Sequence, residues 1–288
     1  MSEAFPAICK LNVMTSKFDH IEIDEKNGEE VIFNERTTIR VRKSRSLFDF
    51  TSYLRISNDI LTSPSSFLSE VSLNKIGILV KLAHRIVLQE EALKTQTKDQ
   101  NLPGKVKWLE SATKREVGIL LKEFTKICND LSPDSNEEIL EEIELGSGNK
   151  FLTLSKSHKA LFDQNRWFEL VCFGLIKQAL NESSVDYYME MDKELLGKSG
   201  LWHETDIILM TPEFSASFEA KSGKWSRDDL LKVLAQRDDT GLDAGVLLTL
   251  DGNESYYEPI SKAHPIRLFP LSNGRENKLL EWIKEVVM

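Results

Sequence analysis

Apolar and polar residues alternate along this chain in two rhythms, one of period two and one near the helical period, and the rhythm changes several times. Near the start, Ile21-Glu22-Ile23 and Thr38-Ile39-Arg40-Val41 alternate as strands do, with the turn signal Lys26-Asn27-Gly28 between them. From about residue 59 the pattern becomes helical. Leu68, Val71, Ile76, Leu79, Val80, Leu82, Ala83 and Ile86 mark a first long helix within Ser66–Glu91. The polar segment Thr95–Gly104 ends in Pro-Gly and reads as a loop. A second helix is expected over Lys105–Asn129, burying Trp108, Leu109, Ala112, Val117, Leu120, Leu121 and Phe124. Residues 131–150 then turn acidic and finish in Gly-Ser-Gly. Ser135 or Asn136 is placed to cap a short helix through the glutamates, and a domain boundary is expected at 150.

After Phe151 the elements come faster. Phe151–Leu154 is a short extended stretch. Asn165–Leu180 is an amphipathic helix with Phe168, Val171, Cys172, Leu175, Ala179 and Leu180 on its inner side. Val185–Met191, Thr205–Met210 and residues 214 to 221 read as strands, with Pro212 marking the turn between the last two. Ser226 and Asp229 form a helix-start signature ahead of Leu230, Leu231, Val233 and Leu234. Ala244–Leu250 is a continuous apolar run, as a central buried strand requires. A further extended segment, Pro265–Leu271, precedes a last helix begun by Asn273 and Glu276, with a stripe of Leu279, Leu280, Ile283, Val286 and Val287. The class is α/β: an N-terminal α+β domain over residues 1–150, then a domain over 151–288 with a mixed sheet flanked by helices.

Composition narrows the class without naming a reaction. With 41% hydrophobic residues in 288, the chain can build a core, and it has no apolar run long enough for a membrane span. The N-terminus lacks the basic-then-apolar order of a secretory signal, so the cytoplasm is the expected location. Cys9, Cys128 and Cys172 stand far apart, which argues against a zinc site and a disulfide framework. The net charge of −9 argues against a broadly basic coat for nucleic acid, although carboxylates around a cation escape that argument. Arg36, Arg40, Arg42, Lys43 and Arg45 form the densest basic cluster, either a solvated strand edge or a phosphate contact. No GxxxxGK[ST] or GxGxxG loop is present, and the five histidines pair with no Ser or Cys nucleophile by spacing.

The chemistry concentrates between Trp202 and Trp225. Phe214, Ala216, Phe218 and Ala220 point one way along a strand, while Ser215, Ser217, Glu219 and Lys221 point the other. A hairpin through Pro212 brings Asp206 beside Glu219. Two carboxylates with an ammonium beside them suit a hard divalent cation, Mg2+ or Mn2+. Taken alone, Glu-x-Lys describes an ordinary ion pair equally well. His203 is read as structural or as a substrate contact, and His84 as a satisfied or exposed residue with no ligand role. Lys198, Lys224 and Arg227 flank the site in sequence and can hold phosphates by charge.

Asp206, Glu219, Ala220 and Lys221, in this order of helix, three strands, helix and strand, resemble the PD-(D/E)xK nuclease superfamily, the restriction-endonuclease-like fold. Thr205 stands where the family has its proline. Trp167-Phe168-Glu169 resembles the Trp-Leu-Glu of nuclease domains in cyclic-oligoadenylate-activated CRISPR ancillary nucleases. The match covers about the last 140 residues; the first 150 are not recognisable as the complete sensor domain of those nucleases. The resemblance implies a metal-dependent endonuclease acting on DNA, or on RNA, in defence against foreign nucleic acid. It implies Asp206, Glu219, Glu169 and the carbonyl of Ala220 as metal ligands, Lys221 as the lysine that orients or deprotonates water, and Gln236 as a further site residue. A homodimer, or a protein partner held through residues 1–150, is a further expectation, as is a non-catalytic relative serving as a binding subunit.

Overall fold

The structure, a computed structural model, describes residues 19–24, 29–43, 55–98, 103–133, 138–145, 149–183, 185–251, 266–272 and 274–287. Lys26-Asn27-Gly28, Arg45, Ser135, Asn136 and Asn273 lie outside them, as do the side chains of Trp108, Leu109 and Ala112. The chain forms two compact units. One joins Met1–Leu47 to Cys172–Met288, and the other is Phe48–Val171.

The first unit is built on a mixed sheet of eight described strands in the order β1-β2-β3-β6-β7-β8-β9-β10. These are β1 Asp19–Asp24, β2 Glu29–Phe33, β3 Thr38–Lys43, β6 Tyr188–Leu196, β7 Trp202–Met210, β8 Ser215–Lys221, β9 Ala244–Thr249 and β10 Ile266–Pro270. All neighbours run antiparallel except β8–β9 and β9–β10, which are parallel. The helices Arg227–Thr240 and Asn277–Val287 also belong to it, as does the helix Arg166–Asn181 from Cys172 on. The α/β class with a helix-flanked mixed sheet is therefore as the pattern implies.

The N-terminal strands depart from the boundary expected at 150. Val41 pairs with Leu195, so β1–β3 extend the large sheet. The physical reason is the alternation in β3: Ile39 and Val41 are buried while Thr38 and Arg40 are exposed, giving an apolar face that joins Ile32, Leu195, Ile208, Met210 and Leu242 in one cluster. It also removes the edge reading of the basic cluster, because β3 lies between β2 and β6. Arg42 instead bonds Glu194 at 2.5 Å and sits 4.0 Å over the Trp202 ring.

The second unit is mainly helical: α1 Arg55–Thr62, α2 Pro64–Phe67, α3 Glu70–Lys98, α4 Pro103–Leu131 and α5 Lys156–Asp163, with α6 Arg166–Asn181 beginning here and passing into the first unit at Cys172. Helix α3 runs to Lys98, past the expected loop start at Thr95. Val71 is 69% exposed, so the apolar stripe begins later than its sequence suggests. Lys75 reaches the carbonyl of Asp130, which sets α3 antiparallel to α4. Phe124 packs edge-on against Phe162 and His158, and burial pushes the His158 pKa down to about 4, so its ring is neutral near pH 7. The acidic run forms a strand, β4 Leu140–Leu145, where a helix was expected. It pairs antiparallel with β5 Asn149–Leu154, and this pairing outweighs the helix propensity of the glutamates.

In the first unit, strand β8 is covered on both faces. Its even positions meet the C-terminal helix Asn277–Val287, α8, where Trp282 stacks edge-on against Phe214 and Phe218 and lies 5.3 Å from Phe269. Its odd positions meet the helix Arg227–Thr240, α7, which packs Leu230 and Val233 on Leu247, Ile266 and Leu268. The sequence signature at Ser226 and Asp229 is realised: the Ser226 N–H donates to Asp229 at 2.7 Å. At the other end of α7, Asp239 accepts from the Ser199 hydroxyl and N–H and from the ring of His203. A side chain at Gly197 would overlap this carboxylate, its Cβ falling 1.9 Å from Oδ2.

Two outcomes are expected. Phe218→Ala removes a fully buried ring between sheet and helix and should lower unfolding stability by about 3–5 kcal/mol in a urea titration. The bonds from Ser199 first, and then His203, hold the Asp239 pKa down at about 2. A depressed carboxylate contributes stability above its unfolded pKa and loses it as pH falls through the folded value. Wild type should therefore lose stability between about pH 4 and 2 more steeply than Asp239→Asn, as read by thermal midpoints across that range.

Candidate active site

The β7–β8 ladder pairs Ile207 with Phe218 and then stops. One residue on, Asp206 takes the place of the next rung: the Ala220 N–H donates to its Oδ2 at 2.7 Å. The register carries Asp206 opposite Glu219, on the face covered by α7. Thr205 is buried and turns its hydroxyl onto the carbonyls of Ile207 and Phe218. It therefore supports the splayed strand ends by hydrogen bonding. In a strand the N–H and C=O of one residue point to the same side. The Ala220 carbonyl thus points toward the side where Asp206 lies.

Glu219 is only 6% exposed, and its Oε1 accepts from two ammoniums, Lys221 at 2.6 Å and Lys232 at 3.0 Å. A buried carboxylate needs such partners to remain charged. For Lys221, burial alone would lower the pKa. The hydrogen bond to Glu219 and the negative fields of Glu219, Asp206 and Asp229 outweigh it, and the pKa is raised. Lys221 is therefore an ammonium at neutral pH.

Two more side chains belong to this neighbourhood. Thr249 pairs in register with Lys221 on the parallel strand β9, and so shares its face. Its hydroxyl is fully buried and has no hydrogen-bond partner among the described residues. Across β6, the ladder passes over the pair Asp192 and Asp206, and Asp192 takes a left-handed backbone with φ 54° while staying 95% buried. Sequence reading missed Lys232, Thr249 and Asp192. Lys232 follows an exposed leucine, and nothing in its spacing marks it; only its place one turn into α7, over β8, gives it a role.

The expected site residues divide as follows. Asp206, Glu219, Ala220 and Lys221 come together. Lys224 and Arg227 are exposed, on the loop after β8 and at the first residue of α7. Lys198 is elsewhere: its N–H bonds the carbonyl of Asp239, and its ammonium lies against Gly241. That is the far end of α7, roughly 13 Å along the axis from Lys232. Gln236, one turn beyond Lys232, is 4% exposed, too deep to meet a nucleic-acid strand, and its Nε2 has no partner among the described residues. Glu169 belongs to the other unit, on the first turn of α6, where Arg166 holds it at 2.6 Å.

Among the described residues no three His, Cys, Asp or Glu side chains are grouped to hold a metal. The donor set is two carboxylates and one main-chain carbonyl, all hard oxygens. Beside them lies the orphaned Thr249 hydroxyl. That chemistry fits Mg2+ or Mn2+, which keep several waters of their own.

No family model matches this chain, and no curated protein does. A solved structure does: protein VC1899 from Vibrio cholerae, with a TM-score of 0.53 and 14% identity over 85% of this chain. The chain spans 59% of that protein's length. At this identity the likeness bears on the fold alone. No helix among the described residues is long and apolar enough to cross a membrane.

Thr249→Val keeps the shape and removes the unpaired hydroxyl. Its unfolding stability should match or exceed wild type by about 1 kcal/mol. A loss larger than that in thermal unfolding would mean the hydroxyl is bonded in the folded chain.

Proposed function

We propose that this protein is a metal-dependent endonuclease that hydrolyses phosphodiester bonds, with DNA as the first substrate to test, and that it serves in defence against foreign nucleic acid. One observation carries the reading. The Asp206 carboxylate and the Glu219–Lys221 strand end meet on one sheet face, joined by the bond from Ala220 to Asp206. The sequence resemblance supports the same chemistry.

Asp206, Glu219 and the Ala220 carbonyl would hold the cation, in the place where Glu219 now holds ammoniums. When bound, a divalent ion there supplies positive charge against the phosphate and makes water more acidic. Lys221, 2.6 Å from Glu219 at the strand end, would orient or deprotonate the attacking water and offset phosphate charge. Lys224 and Arg227, exposed beside the strand end, are placed to hold flanking phosphates. Hydrolysis is an in-line displacement: the water gives up a proton, to Lys221 or to solvent, as its oxygen bonds phosphorus, the bond to the leaving sugar oxygen breaks, and that oxygen takes up a proton from solvent. Gln236 is too deeply buried to take part in these steps.

The purified chain should nick supercoiled plasmid in Mg2+ or Mn2+ and not in EDTA. Asp206→Ala and Lys221→Ala should each slow cleavage by roughly a hundredfold or more. Labelled single-stranded RNA as a parallel substrate separates a DNA enzyme from an RNA enzyme. Wild type inert on DNA and RNA with both metals would overturn the proposal.

A further inference from the structure

Lys232 was not among the residues that the sequence marked, yet it makes one of the two ion pairs at the centre of the site. We propose that Lys232 is a displaceable counter-ion: it neutralises Glu219 while no metal is bound, and moves to the phosphodiester of a bound strand when a divalent cation takes that carboxylate. This rests on the nuclease reading above and adds a residue and a sequence of events to it.

Both ammoniums converge on the same oxygen, Oε1 of Glu219, at 2.6 and 3.0 Å. A divalent ion approaching that carboxylate meets the repulsion of both, and at such distances in a half-buried setting the repulsion is substantial. One of the two must give way. Lys221 is the less mobile: its side chain is 34% exposed, it stands on the last residue of β8, and Asp206 and Asp229 add their fields to that of Glu219. Lys232 has the opposite character. Its side chain is 57% exposed and approaches from α7 on a flexible stem, so its head is already largely hydrated.

Releasing Lys232 therefore costs less than releasing Lys221, and the released charge stays on α7, the helix that Arg227 begins. A strand whose phosphate reaches the cation brings its neighbouring phosphates within reach of that ammonium. Charge balance is kept through the exchange: the carboxylate trades an ammonium for the cation, and the ammonium trades the carboxylate for a phosphate. A purely structural ion pair would instead stabilise the protein equally with and without metal.

The test is Mn2+ titration calorimetry on the full chain as wild type, Lys232→Met and Lys232→Arg, with cleavage kinetics of the same proteins at saturating Mn2+. Lys232→Met should bind Mn2+ about three- to tenfold more tightly than wild type, because one competitor is gone. It should also show a KM for DNA raised several-fold, because a phosphate contact is gone. Lys232→Arg should return both values toward wild type. Unchanged or weaker Mn2+ binding by Lys232→Met overturns the displacement, and an unchanged KM overturns the phosphate contact. Wild type that binds no Mn2+ and cuts nothing overturns the site reading itself; wild type that binds and cuts, beside an indistinguishable Lys232→Met, overturns this inference alone.

Discussion

One hydrogen bond sets the geometry of the candidate site: the Ala220 N–H donating to the carboxylate of Asp206. It stands where the next backbone rung of the β7–β8 ladder would be, so the two strands part at that point. Parting them opens the sheet at the place where its side chains change from apolar to charged. A main-chain carbonyl in Asp206's place would have continued the ladder and closed the gap. The carboxylate satisfies the Ala220 N–H without continuing the ladder and keeps a second oxygen for other partners.

The surroundings explain why the charges nearby come in matched sets. Strand β8 is buried on both faces except at its last residue, Lys221, with the Trp282 ring of α8 on one side and α7 on the other. Water therefore cannot solvate Glu219, and two lysines do so instead. The arrangement is balanced only in the absence of further charge. Any cation added to the acids changes what the lysines do, and so their protonation and position cannot be described apart from the ion.

Much of this was legible in the sequence. The order of helix, three strands, helix and strand, the turn at Pro212, the start of α7 at Ser226 and the buried run of β9 follow from periodicity and capping chemistry alone. So does the convergence of Asp206 with Glu219, because a hairpin of that length fixes the register. What could not be read was set by contacts far apart in sequence. Alternation in β3 announces an apolar face but not that Leu195 would cover it. Glutamates at 141, 142 and 144 suit a helix until β5 offers a partner. Lys198 lies near the motif in sequence yet docks at the far end of α7, because Asp239 holds its loop there. Gln236 sits on the expected helix, but packing against the sheet buries it.

The pairing of β3 with β6 also bears on how the chain emerges during synthesis. Val41 must wait for Leu195, about 150 residues later, with the whole helical unit made in between. Until then β3 offers an uncovered edge while the ribosome continues, a setting that invites pairing with other nascent chains. Arg40, Arg42 and Lys43 on that strand are the charges that discourage it. The edge protection that the sequence suggested for these charges thus applies to the growing chain, whose sheet is completed late.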